Sequence, residues 1–110
     1  MSLAIEQTVT GFRVSEGTET TCVECNTTLS ECSSLTLRLR KESTHWSLVE
    51  CYCISCAPIE FSQLLKSSNT ELLIEGRLGI SQDSLTQRTW LVLVAPRIVE
   101  IVRPARLVSY

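Results

Sequence analysis

The chain has 110 residues, 44% of them hydrophobic, and a formal net charge of −2 at pH 7. This length and apolar content are typical of one globular domain spanning residues 1–110. The sequence has no run of about 18 apolar residues, so we expect no transmembrane helix, and its acidic balance argues against strong nonspecific binding to nucleic acid.

The first predicted element is a strand over residues 3–14, which are mainly β-branched and apolar, with Gly11 as a bulge or bend. The first residues lack the basic start and long apolar stretch of a signal peptide, so we expect reduced cysteines. Residues 15–34 are rich in Ser, Thr, Glu and Cys without periodicity. They predict a loop.

A β-hairpin is predicted next. Leu35, Leu37 and Leu39 alternate with polar residues, which is the pattern of a half-buried strand. The polar turn 41–45 follows, and residues 46–52 are rich in strand-forming types. The returning strand would therefore end close to the loop that precedes the hairpin.

One helix is predicted over residues 58–67. Pro58 suits the first turn of a helix, where its missing N–H costs nothing, and Phe61, Leu64 and Leu65 recur at helical spacing. The helix would separate the hairpin from the C-terminal strands.

The C-terminal third predicts further strands. Residues 71–80 form one strand that Gly76 interrupts, and the nearly continuous apolar run 89–94 predicts a central strand with Trp90 in the core. Beyond it, the extended pattern breaks at Pro96 and resumes over 98–102. Residues 105–110 are expected to form a flexible tail.

The cysteines predict a metal site. All six lie between residues 22 and 56, and two pairs, Cys22/Cys25 and Cys53/Cys56, have the C-x2-C spacing that aims two thiolates at one tetrahedral ion. With the hairpin between them, the pairs predict a zinc ribbon over about residues 20–57. The alternatives are disulfides or scattered core thiols.

The other candidate ligands are weaker. Cys51 points to the same side of an extended strand as Cys53 and is a possible substitute ligand. Cys32 is expected to be a small buried side chain, and His45, in the hairpin turn, to be solvated.

Six residues are candidates for contact with nucleic acid or a protein partner. Cationic side chains on the polar face of the hairpin suit phosphate or an ordinary solvated surface, and aromatic side chains suit base stacking or packing of the ribbon. The candidates are Arg38, Arg40, Lys41, Trp46, Tyr52 and Arg77.

The predicted order of elements is strand, strand, strand, helix, strand, strand. This order resembles the oligonucleotide/oligosaccharide-binding (OB) fold, a five-stranded Greek-key barrel with a helix between strands 3 and 4. The segments 72–78 and 90–101 resemble its last two strands. The fold class is therefore expected to be mostly β.

A barrel with an embedded zinc ribbon resembles the zinc-carrying OB domains of the replication protein A large subunit, the CST large subunit and shieldin. The sequence departs from them because its second cysteine pair ends the third strand and because Cys32 and Cys51 have no assigned role. The resemblance covers most of the chain. It implies a structural zinc, with Cys22, Cys25, Cys53 and Cys56 as ligands.

The resemblance also implies a function. It predicts a non-catalytic, nuclear module of a DNA-maintenance complex (replication, repair or telomere) that binds single-stranded DNA, a partner subunit, or both, with a cytoplasmic location as the alternative. A second hypothesis is a pure protein-interaction scaffold with a structural zinc, and a third is a small secreted disulfide protein.

No paired carboxylates, phosphate-binding loop or catalytic triad is visible in the sequence. We therefore expect neither an enzyme nor a small-molecule substrate.

Overall fold

The computed structural model describes residues 2–57 and 70–102. The described chain is mostly β, as predicted. Its elements are α1 (Ser2–Val9), β1 (Arg13–Glu16), β2 (Glu19–Thr21), β3 (Thr28–Ser30), β4 (Ser34–Glu42), β5 (His45–Cys53), β6 (Glu71–Asp83) and β7 (Arg88–Val102). The predicted helix 58–67 and tail 105–110 lie outside the described residues. Within them, no helix is long and apolar enough to cross a membrane.

Five antiparallel strands form the main sheet in the order β1-β7-β6-β4-β5. The hairpin β4–β5 is the one predicted from the sequence, and β6–β7 is a second hairpin that joins it through pairing of β4 with β6. Leu37 shows the arrangement, since it lies opposite Cys51 on one side and Ile74 on the other. Strands β2 and β3 form a separate two-stranded sheet within the segment predicted as a loop.

The predicted Greek-key barrel is not confirmed. Among the described strands, β1 and β5 are the two edges of an open sheet. Closure would require β1 and β5 to pair with each other, but they lie at opposite ends of the sheet. The outer edge of β5 instead accepts the backbone N–H of Val23 at the Cys51 carbonyl.

The N-terminal segment begins as a helix, so the predicted strand over 3–14 is wrong for residues 3–12 and strand structure begins at Arg13. Ile5 and Val9 are one helical turn apart and both pack on the core, where Val9 is fully buried. The Glu6 carboxylate also accepts the backbone N–H of Ile98 on β7 at 3.1 Å. These tertiary contacts outweigh the strand propensity of the β-branched residues. Gly11, at φ +84°, then turns the chain into β1.

The expected breaks at Gly76 and Pro96 are irregularities inside two continuous strands. The pairing of β6 with β7 shifts between Glu75 and Arg77, opposite Ala95, which has a φ of +51°. A Cβ atom on Gly76 would lie 2.7 Å from Leu93 Cδ1 and 2.8 Å from the Val94 carbonyl oxygen. Glycine therefore allows the two backbones to approach.

One face of the sheet carries the core. On β4 the leucines Leu35, Leu37 and Leu39 are almost fully buried, as predicted, but Thr36 on the opposite face is also buried. The three leucines cluster with leucine and isoleucine side chains from β6 and β7 and with Val9 of α1. Trp90, expected in the core, is only half-buried, and the Arg13 guanidinium lies 4.7 Å from its ring centroid.

Candidate metal centre

The first cysteine pair lies in the turn between β2 and β3, which we call the first knuckle (Cys22–Cys25). Its backbone is closed by two hydrogen bonds, from the Asn26 N–H to the Cys22 carbonyl at 3.0 Å and from the Cys22 N–H to the Thr27 carbonyl at 2.9 Å. Asn26 has a φ of +61°, a conformation that asparagine tolerates better than most residues. This tight turn directs two thiols to the same side.

The second pair follows the end of β5 in the second knuckle (Cys53–Cys56). The Cys56 N–H donates to the Cys53 carbonyl at 3.1 Å, so the chain reverses directly after the strand. Because β5 pairs with β4 up to Cys53, the position of this knuckle is set by the hairpin.

The first knuckle docks on the outer edge of β5. The Val23 N–H donates to the Cys51 carbonyl at 2.9 Å, and the Cys22 sulfur accepts the backbone N–H of Cys53. Both bonds use edge groups of β5 that do not face β4. The docking therefore caps the edge of the sheet and brings the two knuckles together.

The four sulfur atoms of Cys22, Cys25, Cys53 and Cys56 all lie within 4.8 Å of one another. The Sγ atoms of Cys25 and Cys53 are 3.7 Å apart. A tetrahedral ion with Zn–S bonds of about 2.3 Å needs sulfur atoms about 3.8 Å apart, whereas a disulfide needs about 2.05 Å. All six cysteines are free thiols. The cluster therefore fits a metal ion, and it contains the four cysteines that the spacing predicts.

The thiols of the cluster differ in acidity. Burial opposes ionisation of Cys22, but backbone N–H groups of Cys53, Cys25 and Glu24 lower its pKa to about 6. Hydrogen bonds with Thr27 also lower the pKa of Cys25. By contrast, hydrogen bonds to the sulfurs of Cys53 and Cys25 raise the pKa of Cys56 to about 12, because its thiol is the donor. A bound cation would displace the protons of the clustered thiols, because cysteine binds metal ions as the thiolate.

The two remaining cysteines lie outside the cluster. Cys51 is buried beside Leu37 in the core, and burial raises the pKa of its thiol to about 11. Cys32 is exposed, so the expectation of a buried side chain is wrong. It occupies the β3–β4 turn with a φ of +73°, and its N–H donates to the Leu78 carbonyl.

Two of the predicted contact residues, Arg38 and Arg40, are held by carboxylates. Arg38 Nε lies 2.7 Å and Arg40 Nε 3.0 Å from the two oxygens of Glu71, which is fully buried. Arg38 also contacts Glu50 at 3.1 Å. Sequence reasoning missed Glu71 because it lies far along the chain, on the strand that pairs with β4.

Tyr52 belongs to the same network. Its side chain is buried and its hydroxyl donates to Glu50. Burial and the Glu50 carboxylate raise the pKa of Tyr52 well above its ordinary value. The ring is therefore not available to stack on a base in this structure.

The other predicted contact residues are more accessible to solvent. The Lys41 Nζ atom lies 6.0 Å from the ring centroid of Trp46, and both side chains line a cavity of about 240 Å³ with Ile5 and Ile101. Arg77 is exposed, and within the described residues it forms no ion pair. His45 is exposed near Glu42, as expected for a solvated histidine.

The chain belongs to DUF8112, a family described as a domain of unknown function, whose profile matches residues 2–104. No curated protein and no solved structure matches the chain significantly.

Proposed function

We propose that this chain is a non-catalytic protein-interaction module in which Cys22, Cys25, Cys53 and Cys56 hold a structural zinc ion. The observation that carries the proposal is the cluster of four sulfur atoms within 4.8 Å of one another. Zinc suits this set because thiolates are soft ligands and because four cysteines complete its tetrahedral coordination. No position is then left for a substrate or a reactive water.

The ion would add a link between two sheets that already meet where Leu29 of β3 packs in the core. The first knuckle belongs to the small β2–β3 sheet, and the second continues from the main sheet. Between them the structure has the backbone bond from Val23 to Cys51 and the contacts of the cysteines themselves. The metal would therefore stabilise the capped edge of β5 and fix the shape of the surface around the two knuckles.

A protein partner is favoured over nucleic acid by the placement of the charged residues. Arg38 and Arg40 are neutralised internally by Glu71 and Glu50, and Tyr52 is buried. Binding to a nucleic-acid backbone needs several unpaired cations. Interaction surfaces of proteins, by contrast, are commonly apolar patches with a polar rim.

The test is affinity purification with the zinc-loaded chain and with the same chain after metal removal. We expect a protein partner in stoichiometric amount whose recovery falls when the metal is removed. The matched control is Cys32→Ser, which leaves the four clustered cysteines intact and should retain the partner. A partner that binds both forms equally would contradict a role for the metal centre.

Binding of single-stranded DNA within a nuclear DNA-maintenance complex is the second candidate function. Lys41 beside Trp46 favours it, because a cation next to a partly exposed aromatic ring suits a phosphate and a stacked base. The test is a salt titration of binding to a mixed-sequence oligonucleotide. Affinity at low ionic strength that is lost in Lys41→Ala would support it, and no affinity under those conditions would exclude it.

A further inference from the structure

Two adjoining cavities lie beside the second knuckle. One, of about 530 Å³, has a mainly apolar lining that includes Leu29. The other, of about 390 Å³, is lined in part by Gly76 and Arg77. Ser34 and Ile54 line both cavities. The two therefore form one continuous depression, which we call the knuckle groove.

Ile54 is the apolar centre of the knuckle groove. It is 71% exposed although it is a large aliphatic residue. It lies between two cysteines of the metal cluster, so the coordination that we propose would fix its backbone. An exposed aliphatic side chain on a rigid turn loses little conformational entropy on binding, which makes it a suitable anchor for a partner.

The two arginines that line the knuckle groove have carboxylates beside them. Arg97 Nε lies 2.7 Å from the Glu75 carboxylate, and both residues line the smaller cavity. Arg77 lines a neighbouring cavity together with Glu31, an exposed residue between β3 and β4. The two positive charges of this wall are therefore offset by two negative charges.

The metal centre gives the knuckle groove an excess of negative charge. Cys25, Cys53 and Cys56 line the larger cavity, and four thiolates around one Zn²⁺ ion have a formal charge of −2. Glu24 is exposed between two of the ligands. Residues 17–37, which include β2 and β3, contain no Lys, Arg or His. The charge left without a counter-charge is therefore negative, which is complementary to a cation on a ligand.

We propose that the knuckle groove binds a short basic peptide segment of a partner protein. An aliphatic side chain of the segment packs against Ile54, and a Lys or Arg side chain lies over the metal centre beside Cys25, which is exposed. This inference rests on the proposed function as an interaction module and specifies its surface. A peptide fits better than a nucleic acid because the groove combines an apolar anchor with negative charge, which repels phosphate.

The test uses a phage-displayed library of random short peptides, selected on the zinc-loaded chain. We expect enrichment of peptides that carry Lys or Arg a few positions from an aliphatic residue. The best peptide is then synthesised in three forms, with its basic residues kept, replaced by glutamine or replaced by glutamate. The measured affinity should fall in that order. Binding of the basic form should also weaken as salt is added, because salt screens exposed charges.

Three variants of the chain test the two contacts of the basic peptide. Ile54→Ser should weaken binding by about tenfold, as expected for a residue that anchors an interface. Cys25→His keeps four zinc ligands but makes the centre less negative by one charge, so we expect a loss of about fivefold. Arg77→Ser should not weaken binding, because it removes a positive charge from the wall of the groove.

Leu85→Ser and Glu42→Gln are the matched controls. Leu85 is 93% exposed in the β6–β7 turn, so its replacement removes an exposed aliphatic side chain away from the groove. Glu42 is exposed at the opposite end of β4 from Ser34, so its replacement removes one negative charge far from the groove. Both variants should bind the peptide like the unaltered chain. The zinc content of every variant is measured in parallel.

The outcomes separate the groove from the broader function. Binding that is unchanged in Ile54→Ser, or that is as strong for the glutamate form of the peptide as for the basic form, overturns the groove proposal and leaves an interaction module intact. Failure to enrich any peptide on a zinc-loaded chain also overturns it. Single-stranded DNA that displaces the peptide and loses affinity in Arg77→Ser would assign the groove to nucleic acid instead. A chain that binds no zinc contradicts the proposed function itself.

Discussion

Glu71 is a fully buried carboxylate whose two oxygens each contact a different arginine. Replacing it by glutamine removes the carboxylate that pairs with Arg40 and leaves Arg38, which is largely buried, with Glu50 alone. We expect Glu71→Gln to lower the free energy of unfolding by about 3 kcal/mol, measured by urea denaturation.

Glu16→Gln is the control for this prediction. It removes an exposed pairing in which Glu16 and Arg88 are 3.6 Å apart, and we expect a change within about 1 kcal/mol. Equal effects of the two variants would show that the buried network does not stabilise the sheet.

Gly76 allows β6 and β7 to approach closely because it has no side chain. In Gly76→Ala the new Cβ would meet the Val94 carbonyl oxygen at 2.8 Å, and backbone cannot move away as a flexible side chain can. We expect a loss of about 1–3 kcal/mol in unfolding free energy. In Gly79→Ala, the nearest atom is Val94 Cγ1 at 3.1 Å, so the loss should be smaller. The reverse order would contradict the close approach of β6 and β7.

Cys22 makes the stability of the metal-free chain depend on pH. Its pKa falls from an ordinary value of 9.0 to about 6 in the folded chain, so between these values the unfolded chain binds more protons. Stability should therefore decrease as the pH is lowered from 9.0 to about 6. We expect urea midpoints of the chelator-treated protein to follow this trend and the trend to weaken in Cys22→Ser. A midpoint that rises on acidification across this window would contradict the low pKa.

At the scale of elements, we expect a bound metal ion to strengthen the docking of the β2–β3 hairpin, which also packs on the core through Leu29. The Val23 N–H bonds to the Cys51 carbonyl, and the neighbouring cysteines are the proposed ligands. We expect the Val23 amide to be protected from hydrogen exchange in the zinc-loaded chain and to exchange faster after metal removal. Amides of β4 that pair with β6, such as those of Leu37 and its neighbours, serve as the internal control. Unchanged protection at Val23 would mean that the hairpin docks without metal.

Local patterns predicted some elements correctly. The β4–β5 hairpin was visible because the alternation of Leu35, Leu37 and Leu39 is set by the period of a strand. The proximity of the two knuckles followed from the same hairpin. The helix α1 was missed because Ile5 and Val9 lie among strand-forming residues, and only their packing on the core decides between the two structures.

At the scale of the whole molecule, the errors concern long-range pairing. The expected barrel required β1 and β5 to pair, and the sequence contains no local signal that these two strands stay at opposite ends of the sheet. The neutralisation of Arg38 and Arg40 was likewise invisible because Glu71 comes from another strand. The cysteine cluster was predictable because short spacing defines each pair and the hairpin brings the pairs together.

Native mass spectrometry with metal analysis tests the central claim most directly. We predict one zinc ion per folded chain, lost when Cys22 and Cys25 are both replaced by serine and retained in Cys32→Ser, because only the first two belong to the cluster. A folded chain that carries no zinc after purification without chelators and does not take it up on addition would contradict the account.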